Sequence, residues 1–144
     1  MRKILALASL VLVLATPAMA QEKPALVTVV TSPEPQTQLM AMVLTMQSVQ
    51  QGAKAHVLLC GPAADIALKN APASAMALQK PKGMSPKGLM QTILKKTDTS
   101  VDVCALYLPN KGLSEDALID GVGVAEPPQM AERLLAENTR VLSF

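Results

Sequence analysis

Two cysteines, Cys60 and Cys104, and a single histidine, His56, are the side chains of this chain with the widest chemical range. A thiolate attacks disulfides and sulfane sulfur, carries sulfur as a persulfide, and binds soft metals. An imidazole exchanges protons near neutral pH. Cys104 stands in "SVDVCALYLPNKGLSED" (100–116), where an apolar, β-branched run reaches the cysteine and breaks at Pro109, Asn110 and Gly112. Cys60 ends a second such run, "KAHVLLCG" (54–61), and His56 precedes it by four, on the same side of an extended strand. Residue types alone leave three readings open: a Cys60–Cys104 disulfide, structural or reversible; a sulfur-relaying thiol; or inert or metal-binding thiols.

The elements that must position these residues alternate simply. "ALVTVVTS" (25–32) reads as a strand buried on both faces, and "SPEPQ" breaks it with two prolines. In 37–53, Leu39, Met42, Val43, Met46 and Val49 recur at helical spacing, and Gly52 supplies a stop. The run at 54–61 is the second strand. "PAADIALKNA" offers a helical turn or two, and 72–84 reads as a mobile connection. Ser85 is placed as an N-cap with Pro86 at the first helical position of a helix over 85–97. "SVDVCALYL" is the third strand, "GLSEDALIDG" a short capped helix, "VGVAE" a fourth strand, "PPQMAERLLAEN" a last helix and "TRVLSF" a fifth strand. This order predicts an α/β fold of three layers, α/β/α, around a mainly parallel sheet of about five strands. Right-handed crossovers align the carboxyl ends of the strands along one edge, where open sheets place their sites. Cys60 and Cys104 both fall at that edge.

The N-terminus has the three-part layout of a secretory signal peptide: Arg2 and Lys3, the apolar run Ile4 to Ala15, then small Ala18 and Ala20 before Gln21. The apolar run is shorter than the ~18 residues of a spanning helix. The expectation is a leader over 1–20, cut after Ala20, a single domain over 21–144, and a bacterial periplasmic address without membrane attachment after cleavage. Loss of Arg2 and Lys3 takes the 13 basic residues to 11, against 11 acidic ones. A near-neutral chain whose aromatics are only Tyr107 and Phe144 offers neither an electrostatic footprint nor a stacking platform for nucleic acid.

Other chemistries find little support. There is no GxSxG elbow, GxGxxG or Walker pattern, so acyl-transfer and nucleotide cofactors lack their usual frame, and no cofactor is expected. Thioethers and thiolates suit Cu(I), and seven methionines follow the leader, but Met42 and Met46 share a helix face with Leu39 and Val49, the spacing of a core stripe. Without a CxxC, an HExxH or a second histidine, Cu(I) binding is the weakest of the readings, and no metal site is assigned. "PKGMSPKG" (81–88) reads as a solvated loop, or a lid over the cysteine edge. Glu115, Asp116 and Asp120 read as an acidic first helical turn.

The succession "ALVTVVTS … GAKAHVLLC … VDVCALYLPNKGLSEDALIDGV … RVLSF" resembles the DsrE/DsrF-like family of small α/β proteins with the YchN-like fold, over roughly 25–144. In sulfur-relay members of that family a strand like "VDVC" ends in the cysteine that carries persulfide sulfur, and Cys104 occupies that position. The resemblance implies thiol-based sulfur handling through Cys104 as sulfur-carrying thiol, sulfurtransferase-like if catalytic, which the leader would place in the periplasm. It implies a homo-oligomer, trimer or larger, with a protein sulfur donor and acceptor. Cys60 departs from the relay pattern and is assigned as resolving or disulfide partner. The rival reading is a non-catalytic binding or assembly module braced by a Cys60–Cys104 disulfide, worth on the order of 3–4 kcal/mol by chain entropy. A working Cys104 needs exposure and a nearby cation, for which Lys111 and Lys87 qualify by type, whereas Asp102 is not placed from sequence.

Overall fold

The computed structural model describes residues 23–144; the expected leader and its cut after Ala20 lie outside the described residues. Five strands, β1 (Ala25–Val30), β2 (Lys54–Leu59), β3 (Ser100–Val103), β4 (Val122–Val124) and β5 (Thr139–Ser143), form one sheet in the order β4-β3-β2-β1-β5. Every neighbouring pair is parallel. The helices are α1 (Pro35–Gln50), α2 (Pro86–Lys96), α3 (Tyr107–Lys111) and α4 (Pro127–Leu135), with 3₁₀ segments at Gly61–Ala67, Ala73–Met76 and Glu115–Ala117. The expected α/β architecture with a parallel five-stranded sheet is what the chain forms. No helix among the described residues is long and apolar enough to cross a membrane.

The strand order fixes the layering. The crossovers from β1 through β4 all step in one direction, so right-handedness puts α1, α2 and α3 on one face. The chain then returns past β1 to place β5, and the reversed step puts α4 on the other face. The layers are therefore unequal. On the first face Val30, Val57, Leu59, Val101 and Val103 pack against Met42 of α1 and Met90 and Ile93 of α2. On the second, Val27, Leu58 and Ala125 meet Met130 of α4, with Cys60 and Cys104 partly buried beside them. The methionine stripe is core: Met42 is fully buried and Met46 packs against the same cluster.

Local chemistry sets the boundaries. Pro35 takes the first position of α1 behind Glu34, whose carboxylate accepts from the Gln36 amide, so the helix starts two residues ahead of the expected one. Gly52, at φ 97°, turns the chain into β2. Ser85 caps α2 as expected, its hydroxyl accepting from the Gly88 amide at 3.2 Å. Three expectations are corrected. Residues 72–84 are built rather than a free connection: Ala75 is buried, and Gln79 pairs with Met84 in an antiparallel bridge. The third strand ends at Val103 instead of running to Leu108, because the chain coils into α3, where Tyr107 and Leu108 are buried. The acidic stretch 115–120 forms one 3₁₀ turn without a side-chain cap rather than a capped helix.

Candidate functional site

Parallel register brings the two cysteines together. Leu59 of β2 lies opposite Val103 of β3, so the next positions, Cys60 and Cys104, are lateral neighbours at the carboxyl edge. The ladder continues through both, with the Cys60 amide on the Val30 carbonyl at 2.9 Å and the Cys104 amide on the Leu59 carbonyl at 2.8 Å. Their side chains join in a disulfide with Cα atoms 5.1 Å apart, within the usual reach of such a bond. Beyond it the chain turns sharply on both strands: Gly61 has φ 53°, and the Cys104 carbonyl accepts from the Tyr107 amide that opens α3. Both cysteines are half-buried: Cys60 packs on the second core and Cys104 on both.

Strand alternation sends Val101 and Val103 into the first core and Ser100, Asp102 and Cys104 to the α4 face. Asp102 thus belongs beside the disulfide, one same-face step below Cys104. The signal was the shared parity of 100, 102 and 104, which could not be used without knowing which side of the strand faces which core. His56 of β2 stands opposite Ser100, and their Nδ1 and Oγ are 2.6 Å apart. Its Nε2 lies 3.4 Å from Asp102 Oδ2 without hydrogen-bond alignment, and is buried with no other partner. Burial pulls the imidazole pKa below its ordinary value; the Asp102 carboxylate opposes this and Arg133 of α4 reinforces it. A neutral ring is the consequence at pH 7. The consistent tautomer has Ser100 donating to Nδ1 and the Nε2 proton turned toward Asp102, which avoids facing a lone pair with a carboxylate. The other carboxylate oxygen, Oδ1, fills the space that a side chain at Gly123 would take; a Cβ there would come within 2.5 Å of it.

The two lysines expected to lower the Cys104 pKa are engaged elsewhere. Lys87 is buried, and its ammonium donates to the Leu68 carbonyl at 2.5 Å and the Lys69 carbonyl at 3.3 Å. Burial moves its pKa down. Lys111 donates to Asp65 at 2.6 Å, on the same carboxylate oxygen that accepts from the Tyr107 hydroxyl at 2.5 Å. Burial, followed by the Asp65 hydrogen bond, pushes the Tyr107 pKa up. This clamp ties α3 to the 3₁₀ segment after Cys60, bracing the turn beyond each cysteine. The two lysines stood out in the sequence by type, but their partners, Asp65 and the Leu68 and Lys69 carbonyls, carried no recognisable signal.

No cluster of three or more His, Cys, Asp or Glu among the described residues is arranged to hold a metal ion. His56 and the cysteines lie on the α4 face, whereas Met42 and Met46 lie in the opposite core. A groove of about 890 Å³ runs past the amino ends of the strands, lined by Lys54, His56, Lys96, Ser100 and Arg133, at the far end of the sheet from the disulfide.

No family model matches the chain, and no curated protein matches it. Solved structures do. The protein of unknown function MTH1491 from Methanobacterium thermoautotrophicum superposes with a TM-score of 0.62 at 11% identity, covering 85% of this chain and 100% of its own. The YchN protein of E. coli superposes with a TM-score of 0.61 at 22% identity, covering 84% of this chain and 99% of its own. At these identities the likeness is one of fold: the chain has the DsrE/YchN-like fold.

Proposed function

We propose that this protein handles sulfur by thiol chemistry at the Cys60–Cys104 pair, with Cys104 taking up and passing on sulfane sulfur and Cys60 resolving it. In the reduced state the Cys104 thiolate attacks the outer sulfur of a donor persulfide, R–S–SH. A Cys104–S–SH persulfide forms and the donor leaves as RSH, with the proton from Cys104. An acceptor thiolate then removes the outer sulfur and returns the Cys104 thiol. Alternatively, the Cys60 thiolate attacks the Cys104 sulfur, expels hydrosulfide and leaves the disulfide, which two equivalents of an external thiol reduce again. The observation that carries this reading is a half-buried disulfide between adjacent strands at the carboxyl edge of a DsrE/YchN-like sheet.

The same reading takes the chain as exported, cut after Ala20 and working in the periplasm as a homo-oligomer of three or more copies, with a protein donor and acceptor. The second reading, a binding or assembly module whose disulfide only braces the fold, draws on the packing of the bond against Val27, Leu58 and Met130 and on the commitment of Lys87 and Lys111 elsewhere. Loading reduced protein anaerobically with glutathione persulfide, followed by peptide mass mapping, separates the two. Sulfur handling predicts a gain of one sulfur atom on Cys104, lost on reduction, absent in Cys104→Ser and longer-lived in Cys60→Ser. No gain at Cys104 in either the wild type or Cys60→Ser leaves the structural brace.

A further inference from the structure

The disulfide packs on apolar side chains, and two carboxylates lie near it. Asp102 shares the α4 face with Cys104, its Cα about 7 Å away by strand rise. Its side chain is 25% exposed, so the carboxylate reaches solvent. Gly123 on β4 gives Oδ1 its space, and the neutral His56 on β2 faces Oδ2, fixing the carboxylate without cancelling its charge. Glu126 adds a second negative charge: Val103 pairs with Val124, so Ala125 stands beside Cys104 and exposed Glu126 follows it at the N-cap of α4. Among the described residues, no lysine or arginine forms an ion pair with Asp102. β1 presents Val27 and Val29; Lys111 is paired with Asp65; Arg133 of α4 lies toward His56 and the groove at the opposite strand ends. A parallel sheet face under a helix is ordinarily aliphatic, so a charged residue held there without a counter-ion is not explained by packing.

We propose that Asp102 is a specificity-determining residue that selects thiols and persulfides carrying a cationic group near their sulfur, an ammonium or guanidinium, and disfavours anionic ones. This rests on the reading of the Cys60–Cys104 bond as one that opens in the folded protein. An incoming thiolate forms its new S–S bond to a cysteine sulfur, and the other cysteine leaves as thiolate. A second external thiol then completes the reduction, giving RS–SR and two cysteine thiols. A cation on the incoming group meets Asp102 during this approach. An anion there is repelled, and the carboxylate raises the cost of thiolate on its own side of the pair.

The test measures opening of the disulfide in folded wild-type protein by cysteamine, 2-mercaptoethanol and 3-mercaptopropionate, with each rate expressed per thiolate. At low ionic strength the cationic probe is expected to react about tenfold faster than the anionic one, from opposed charges about 8 Å from a carboxylate at the protein surface. Asp102→Asn lowers that ratio at least about twofold, leaving only the share that Glu126 sustains, and 1 M salt on the unaltered protein brings it close to unity, which reads the charge effect without any substitution. A ratio that survives both, or the absence of any ratio in wild type, overturns the assignment of Asp102. Opening by none of the three without denaturant removes the reversible-bond reading itself, an outcome distinct from opening without charge preference.

Discussion

Removing the Cys60–Cys104 bond has a calculable effect on the fold. The bond joins positions 44 residues apart. In the chain-entropy model, freeing a loop of that length returns about 4 kcal/mol of conformational freedom to the unfolded chain at 25 °C. The half-buried sulfurs lose little packing, so the entropy dominates. A chain of this size ordinarily holds roughly 6–15 kcal/mol of net stability, which leaves the reduced protein folded but weakened. That outcome is required by any reading in which the bond cycles. Urea denaturation of oxidised wild type, reduced wild type and the Cys60→Ala/Cys104→Ala double variant measures it. With a slope of about 1.5 kcal/mol per molar urea, both reduced forms should melt about 2–3 M earlier than the oxidised protein, and nearly together. A reduced protein already unfolded in buffer would refute the reasoning, because the two cores would then be insufficient alone. A midpoint shift below about 0.5 M would refute it from the other side, by showing that the unfolded chain gains almost nothing from release of the loop.

Two further outcomes follow from groups buried away from the disulfide. His56 has a folded-state pKa below its unfolded value, so the unfolded chain takes up its proton first as pH falls. The stability it allows is fully present above about pH 6.5 and declines below it, at up to about 1.4 kcal/mol per pH unit, until the folded pKa is passed. His56→Gln should flatten the pH dependence of thermal stability over that window; an unchanged slope would assign the acid sensitivity to other groups. Lys87→Met leaves the Leu68 and Lys69 carbonyls without their ammonium donor and should cost about 1–3 kcal/mol in urea denaturation; a neutral result would mean that the two carbonyls find other donors.

The architecture was legible because its signals are periodic and local. Continuous β-branched runs marked the strands, and Ser85-Pro86 marked the start of α2. The equivalence of Cys60 and Cys104 at two strand ends followed from the same alternation, and parallel register made them neighbours. The departures have tertiary causes. α3 is a five-residue helix held by Tyr107 and Lys111 on Asp65, a partner 42 and 46 positions away that no local pattern announces. The segment 72–84 has the composition of a loop, and it is ordered by the 3₁₀ turn Ala73–Met76, the burial of Ala75 and the Gln79–Met84 bridge. Lys87 qualified as a candidate cation by residue type alone, whereas its carbonyl acceptors lie 18 and 19 positions back. Asp102 could be placed only when the return crossover to β5 decided which face α4 covers.

The central claim is that the Cys60–Cys104 bond opens and closes in the folded protein. Its most direct test is a native redox titration: the protein is equilibrated with dithiothreitol mixtures without denaturant, free thiols are trapped with a mass tag, and the fold is followed by circular dichroism. The account predicts full conversion to a doubly tagged form with secondary structure retained, and recovery of the bond on reoxidation. A bond that yields no tag until the protein is unfolded would contradict it and leave the disulfide as a brace.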